Sequence, residues 1–343
     1  MRSSFYINPN DIDEVHPPIS PFSSMSREQV EILHRRLDSS IVVSGGPCTG
    51  KTVLAIMLAK RFAEEGKKCL FVAGTSLLQS YVKGWGSSLG LRDLRCVTFF
   101  EAQKDNTQYD VIILDDSERY GLEEIKSLVS LTRFIILFGN YTRPFSCREA
   151  ASIPDISGII PGCRVYSLKV PLGIPFEFIR LISRDKDFIN YKSTGRLPVI
   201  AKVGSIKDQC ATIKTVMDAM GFDNVGILCY TQEVVASVRF FFNQLEMPVV
   251  VYHGRVVDVD WNSTKLIIMT IAGSSGIHFN TVFVVGFDAD IVDVIRQDVY
   301  VETAVTRARE YLYIFYEKQL PQSLAIIPQT YYRSRINSPI EEL

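Results

Sequence analysis

A chain of 343 residues with 47% hydrophobic and 22% charged side chains is long enough for two cores and too apolar to be a disordered chain. Its formal net charge of −1 excludes a globally basic protein, so any polyanion must be held by a local patch. Seven cysteines at 48, 69, 96, 147, 163, 210 and 229 form no C-x-x-C pair and read as reduced thiols, and the four histidines stand at no zinc spacing.

Residues 1–24 are polar and proline-bearing, which predicts an extended lead-in. Ser26-Arg27-Glu28-Gln29 has the spacing of a capping box and opens a helix to about Leu37. Ile41-Val42-Val43-Ser44 reads as a short buried strand. Next comes Gly45-Gly46-Pro47-Cys48-Thr49-Gly50-Lys51-Thr52, a full match to G-x-x-x-x-G-K-S/T, and then a helix over 52–65 that stops at Gly66. The following elements are a strand at Cys69–Ala73, a helix capped by Thr75 and Ser76, a strand end at Val97–Phe100 and an apolar strand at Val111–Leu114. A helix near 122–131 and a strand at Phe134–Phe138 complete this half. All-apolar strands alternating with helices predict a parallel sheet covered on both faces.

The stretch 141–165 is rich in proline and glycine, and 151–165 is the predicted linker. The alternation then restarts. Helices are expected at 174–184, 206–220 and 232–245, and strands at 226–230, 248–252, 266–270, 282–285 and 312–315, with a C-terminal tail over 326–343. No segment approaches the roughly 18 apolar residues of a membrane span. Met1-Arg2-Ser3-Ser4 leads into no apolar signal core, so a cytoplasmic protein is expected, or a nuclear one in a eukaryote.

Strand, glycine loop and helix start are the geometry that phosphate requires. The glycines turn backbone N–H groups inward, the helix dipole adds positive potential, Lys51 can reach the β/γ-phosphates and the Thr52 hydroxyl can hold Mg²⁺. A nucleotide's phosphates and Mg²⁺ are therefore expected at this loop. A carboxylate on a neighbouring strand end is needed for the metal, and Asp115-Asp116 end an apolar strand. Asp115 is the metal candidate and Asp116 the water-activating one.

Taken in order, these motifs resemble the UvrD/Rep-like superfamily 1 helicases over roughly residues 25–316. The strongest pieces are GGPCTGKT at 45–52 and VYVETAVTRAREYLYIF at 299–315, followed by VFVVGFD at 282–288. The resemblance implies two RecA-like α/β lobes, at about 25–150 and 166–325, without large accessory insertions. It assigns adenine recognition to Gln29, phosphate and magnesium contacts to Lys51, Thr52 and Asp115, and a γ-phosphate contact from the second lobe to Arg307. It places Thr75, Ser76 and Thr98 in the first lobe, and Thr270 and Ser274 in the second, against a nucleic-acid strand. Phe99, Tyr141 and Phe145 stand in loops where bases could stack.

The chain departs from that family where hydrolysis is organised. Asp-Glu-x-Gln has become Asp115-Asp116-Ser117-Glu118, and Gly-Asp-x-x-Gln has become Gly139-Asn140-Tyr141-Thr142-Arg143. The Tyr-Arg pair that opens the second domain has no counterpart in Leu168–Gly173, which leaves Arg143 as the residue that could replace a lost arginine. Lys-Gly-Leu-Glu has become Ser275-Gly276-Ile277-His278, with the glycine retained. Two readings follow: a nucleic-acid-dependent ATPase or translocase on single strands, working with a partner such as a nuclease, or a pseudo-helicase that binds ATP and acts as a nucleotide-dependent scaffold. A P-loop metabolite kinase fits less well, because the second half ends in Thr306-Arg307-Ala308-Arg309 and lacks a lid.

Overall fold

The computed structural model describes residues 25–91, 93–141, 151–182, 193–254, 259, 261, 264–290 and 297–335. In the first lobe, strands β1 (Ile41–Gly45), β2 (Cys69–Ala73), β3 (Arg95–Thr98), β4 (Tyr109–Leu114), β5 (Thr132–Gly139) and β6 (Arg164–Leu168) form a six-stranded sheet. Its order is β3-β2-β4-β5-β1-β6, and every pair is parallel. The apolar runs make this possible, because the inner strands β2, β4, β5 and β1 bury both faces. Ile41 and Val43 of β1 point to one core and Val42 to the other.

Helices α1 (Arg27–His34), α2 (Lys51–Glu64) and α3 (Ser76–Ser88) cover the first face. Leu54, Ala55, Leu58 and Phe62 of α2 lie fully buried there against Ile41, Phe71 and Ile136. A short helix α4 (Phe99–Ala102), with α5 (Leu122–Val129) and α6 (Ile153–Ile159), covers the other face around Ile112, Leu114 and Leu137.

The second lobe repeats the plan. After α7 (Phe176–Ile179) come β7 (Val199–Lys202), α8 (Ile206–Met220), β8 (Val225–Cys229), α9 (Gln232–Gln244), β9 (Val250–Val251), β10 (Leu266–Thr270), β11 (Phe279–Val285), α10 (Gln297–Val305), β12 (Ala308–Tyr316) and α11 (Gln322–Ala325). The strand order is β7-β12-β11-β8-β10-β9, again with parallel pairing throughout. Helices α8 and α9 close one face and α7, α10 and α11 the other. Cys48 and Leu77 of the first lobe pack into this last cluster, so apolar contact runs from one lobe into the other. The fold is α/β, with two six-stranded parallel sheets.

Four expectations change. The predicted linker at 151–165 instead carries α6 and the start of β6, and β6 pairs along β1 from Ile41↔Arg164 to Gly45↔Leu168. Proline and glycine in this stretch mark the helix start and the turn at Gly162 rather than a boundary. Within the expected tail, residues 326–335 dock on the second sheet. Arg333 bridges to Val199, and its carbonyl accepts the Ile200 N–H at 2.9 Å. The expected strand end at Phe99–Phe100 is the start of α4, because Thr98 and Glu101 form a capping box. The helix expected at 174–184 is described only as Phe176–Ile179, with 183 and 184 outside the described residues.

Candidate nucleotide site between the lobes

The glycine loop crosses from β1 into α2, and Gly50 at φ 75° is the helix N-cap. A side chain there is excluded twice over. The left-handed φ disfavours one, and a Cβ would overlap the Gln29 amide nitrogen. That amide nitrogen donates to the carbonyls of Thr49, at 3.1 Å, and Gly50, at 3.2 Å, while Gln29 Oε1 accepts the Ser26 N–H at 2.8 Å. Both ends of the Gln29 amide, assigned to adenine by the resemblance, therefore hold the loop and cap its own helix.

Lys51 Nζ lies across the loop and donates to Gly45 O at 2.8 Å and Gly46 O at 2.9 Å. Thr49 Oγ1 closes the turn onto Gly46 O at 2.9 Å. Thr52 Oγ1 donates to Asp115 Oδ2 at 2.7 Å, which joins the two expected magnesium residues across the sheet. Among the described residues no group of three or more His, Cys, Asp and Glu side chains gathers at metal-binding geometry. A Thr–Asp pair suits Mg²⁺, which keeps several waters and takes its remaining ligands from phosphate.

Beyond Asp115 the chain turns sharply. Asp116 takes the left-handed conformation at φ 53°, and a 3₁₀ turn over Ser117–Arg119 brings Glu118 back toward the loop. Asp116 Oδ2 and Glu118 Oε2 are buried without a hydrogen-bond partner. A Cβ on Gly139 would come within 2.8 Å of Glu118 Oε2, so the glycine leaves room for the carboxylate. Burial, together with the neighbouring Asp116 charge, raises Asp115 and Glu118 to about 7. Uncompensated buried carboxylate oxygens beside a phosphate loop fit a bound cation, whose charge would offset their desolvation.

The second lobe completes the cleft, a cavity of about 250 Å³ bordered by the loop, Asp116, Glu118, His278 and Arg307. Arg307 is buried and aimed by backbone carbonyls, with Nε on Thr303 O at 3.2 Å and Nη1 on Ser274 O and Ile277 O, each at 3.3 Å. His278 is held neutral by burial and by the Arg307 and Arg309 charges beside it. Residues 299, 302 and 303 face the same cavity from α10. Their i, i+3, i+4 spacing was readable in the sequence, but only once 297–305 was known to be helix. Cys48 Sγ donates to Thr306 O at 3.0 Å and ties the two lobes directly.

The strand-contact residues are placed less uniformly. Thr75 is a helix N-cap accepting Leu78 N–H at 3.0 Å, and Thr98 caps α4. Ser76 is buried, 3.0 Å from the Tyr252 hydroxyl of the second lobe, and Thr270 Oγ1 accepts the Gly273 N–H at 3.1 Å. Two assignments are corrected by burial. Phe99 stacks on Tyr120 with ring centroids 4.1 Å apart, and Ser274 is fully buried with its hydroxyl on Ile271 O, so neither offers a surface to a strand. The Tyr141 hydroxyl lies 2.6 Å from Ser117 Oγ and shores up the Asp116–Glu118 turn. Arg143 and Phe145 lie outside the described residues.

No family model matches this chain, and neither does any curated protein. Among solved structures, it is similar to the C-terminal domain of a possible DNA helicase from Lactobacillus plantarum WCFS1, at 12% identity. The alignment covers 47% of this chain and 96% of that one with a TM-score of 0.39, too loose a likeness to carry any residue correspondence.

Proposed function

We propose that this chain binds Mg²⁺-ATP between its lobes and acts as a helicase-like, nucleic-acid-dependent ATPase on single strands. The observation that carries the reading is the convergence of Lys51 and Thr52 from the first lobe with Arg307 from the second on one cavity, with Asp115 accepting the Thr52 hydroxyl behind it. Lys51 and Arg307 would neutralise phosphate charge, Thr52 and Asp115 would hold Mg²⁺, and Glu118, with Asp116 behind it, would position water. A guanidinium contributed from the opposite lobe couples closure of the cleft to charge neutralisation at the γ-phosphate. Thr75, Ser76, Thr98 and Thr270 remain the proposed strand contacts, reached when the Ser76–Tyr252 hydrogen bond opens.

A second reading is favoured by one observation. Lys51 and Arg307 both have their donors on backbone carbonyls, and the loop carries no glutamate in the usual water-activating place, so ATP could be held as a structural ligand. The chain would then be a nucleotide-dependent scaffold. ATP turnover with and without single-stranded DNA or RNA, beside Lys51→Ala, separates the two. Turnover that is stimulated by a strand and lost in Lys51→Ala is expected for the motor. Nucleotide binding without turnover under every condition would leave the scaffold.

A further inference from the structure

The nucleotide cleft lies at the C-terminal ends of the first sheet's strands. The N-terminal ends carry a different feature. A second cavity, of about 520 Å³, opens there between α1, α2 and the starts of β1 and β5, and Arg35, Arg36, Arg61, Lys67 and Arg133 line it. The carboxylates among its lining are Asp38 and Glu65. Glu65 is shared between Arg61 at 3.3 Å and Lys67 at 2.6 Å, and Asp38 makes only a 3.9 Å contact with Arg36, whose side chain is 92% exposed. Arg133 has no ion-pair partner among the described residues. On a chain whose formal net charge is −1, this is an uncompensated cluster of positive charge.

The cluster is also organised. Arg61 is anchored by donating to the carbonyls of Leu33 and Arg35, so its guanidinium is fixed rather than swinging in solvent. Arg35 lies over the Tyr166 ring and donates to its hydroxyl at 2.7 Å. Because β6 pairs in register with β1 from Ile41↔Arg164, Arg164 extends the basic edge past the cavity. Lys67 stands before β2 and Arg164 opens β6, and these strands are separated by β4, β5 and β1. At about 4.8 Å per strand, the row is roughly 19 Å long. A single phosphate or nucleotide would engage only part of such a row. A strand with regularly spaced phosphates engages all of it, and arginine forks match phosphate oxygens better than ammonium groups do.

We propose that this edge binds the phosphate backbone of a nucleic acid outside the nucleotide cleft, as a second contact that keeps the substrate on the protein. The choice of nucleic acid as the polyanion rests on the function proposed above. The site itself does not use the cleft, because it lies at the opposite end of β1, roughly 16 Å away for a five-residue strand.

The test is fluorescence anisotropy of labelled oligothymidine and oligouridine with the full chain, over a salt series, comparing wild type with Arg36→Glu/Arg133→Glu. Both residues are exposed and neither anchors backbone, and binding of a fluorescent ATP analogue verifies an intact cleft in the variant. The expected result is an affinity at least about tenfold weaker and a log–log salt slope shallower by about 1.4, the value for two lost single-strand phosphate contacts. Unchanged affinity and slope in the variant would overturn the proposal, as would no oligonucleotide binding by wild type. Polyglutamate binding with the same variant sensitivity, in the absence of oligonucleotide binding, would also overturn it by assigning the edge to an acidic protein. Strand-stimulated ATP turnover is read in parallel. Loss of binding in the variant without any stimulation in wild type supports the edge and removes the motor reading, whereas stimulation with unchanged binding does the reverse.

Discussion

The thiol of Cys48, in the phosphate loop, donates to the backbone carbonyl of Thr306, 3.0 Å away in the other lobe and one residue before Arg307. The loop that would hold the β/γ-phosphates and the arginine that would meet the γ-phosphate are thereby linked without a nucleotide between them. Leu172 strengthens the link from the connecting segment, its N–H donating to Cys48 O at 2.6 Å.

Cys48→Ala removes the thiol donor but leaves the backbone of the loop unchanged. The expected outcome is a loss of about 1 kcal/mol in denaturant stability, with ATP affinity retained and strand-stimulated turnover reduced more than binding. Burial raises the Cys48 thiol pKa, so the native protein should resist iodoacetamide at this position and become labelled only on unfolding. Mass spectrometry after pulse alkylation checks it.

Glu118 combines a buried, unpartnered oxygen with a pKa raised to about 7 by burial and by Asp116. A carboxyl poised there suits proton abstraction from water near neutral pH. Glu118→Gln should lower any turnover by about 10²–10⁴ while ATP still binds. At pH 8 and without nucleotide it should also raise the melting temperature, since an uncompensated buried charge is removed. A variant that loses turnover and stability together would point to a structural role instead.

The same shifts fix a pH dependence. Asp115 and Glu118 have folded-state values near 7, above their ordinary carboxylate values, so between about pH 4.5 and 7 the native state binds more protons than the unfolded one. Stability of the nucleotide-free protein should therefore fall as pH rises through that window. Carboxylates with lowered values, such as Asp105 at about 2, act only below it, whereas His278, held neutral by burial, opposes the trend up to about pH 6.5, one group against two. Thermal melts at pH 5.5 and 7.5 should differ in that direction, and saturating Mg²⁺-ATP should shrink the difference. A melt that rises from pH 5.5 to 7.5 would contradict it.

Gln29 offers a test of how the nucleotide base is treated. Its amide is engaged with Ser26, Thr49 and Gly50, so Gln29→Ala should weaken ATP and GTP binding alike by loosening the loop, and should lower stability by about 1–2 kcal/mol through loss of the cap. Selective loss of ATP binding, measured by calorimetry with both nucleotides, would restore the adenine assignment.

Local chemistry was legible in the chain. The capping box at Ser26, the apolar strands and the loop at Gly45–Thr52 each depend on residues within a few positions of one another, and the Thr52–Asp115 pairing follows once an apolar strand ends in an acid. Burial was less legible. Phe99 and Ser274 had the right types for contacting a strand, but stacking on Tyr120 and hydrogen bonding to Ile271 depend on packing that residue type does not encode.

The sequence alone therefore determined most of the elements and set the glycine loop between a strand and a helix, because propensity, periodicity and loop chemistry act over short separations. Tertiary structure decided the rest. It placed β6 beside β1 and so moved residues 164 and 165 from linker to sheet, and it gathered scattered cations into one basic edge. It also set Cys48 against Thr306 across 258 positions of chain. Such contacts arise when whole buried faces find their partners, and no local pattern specifies which face meets which.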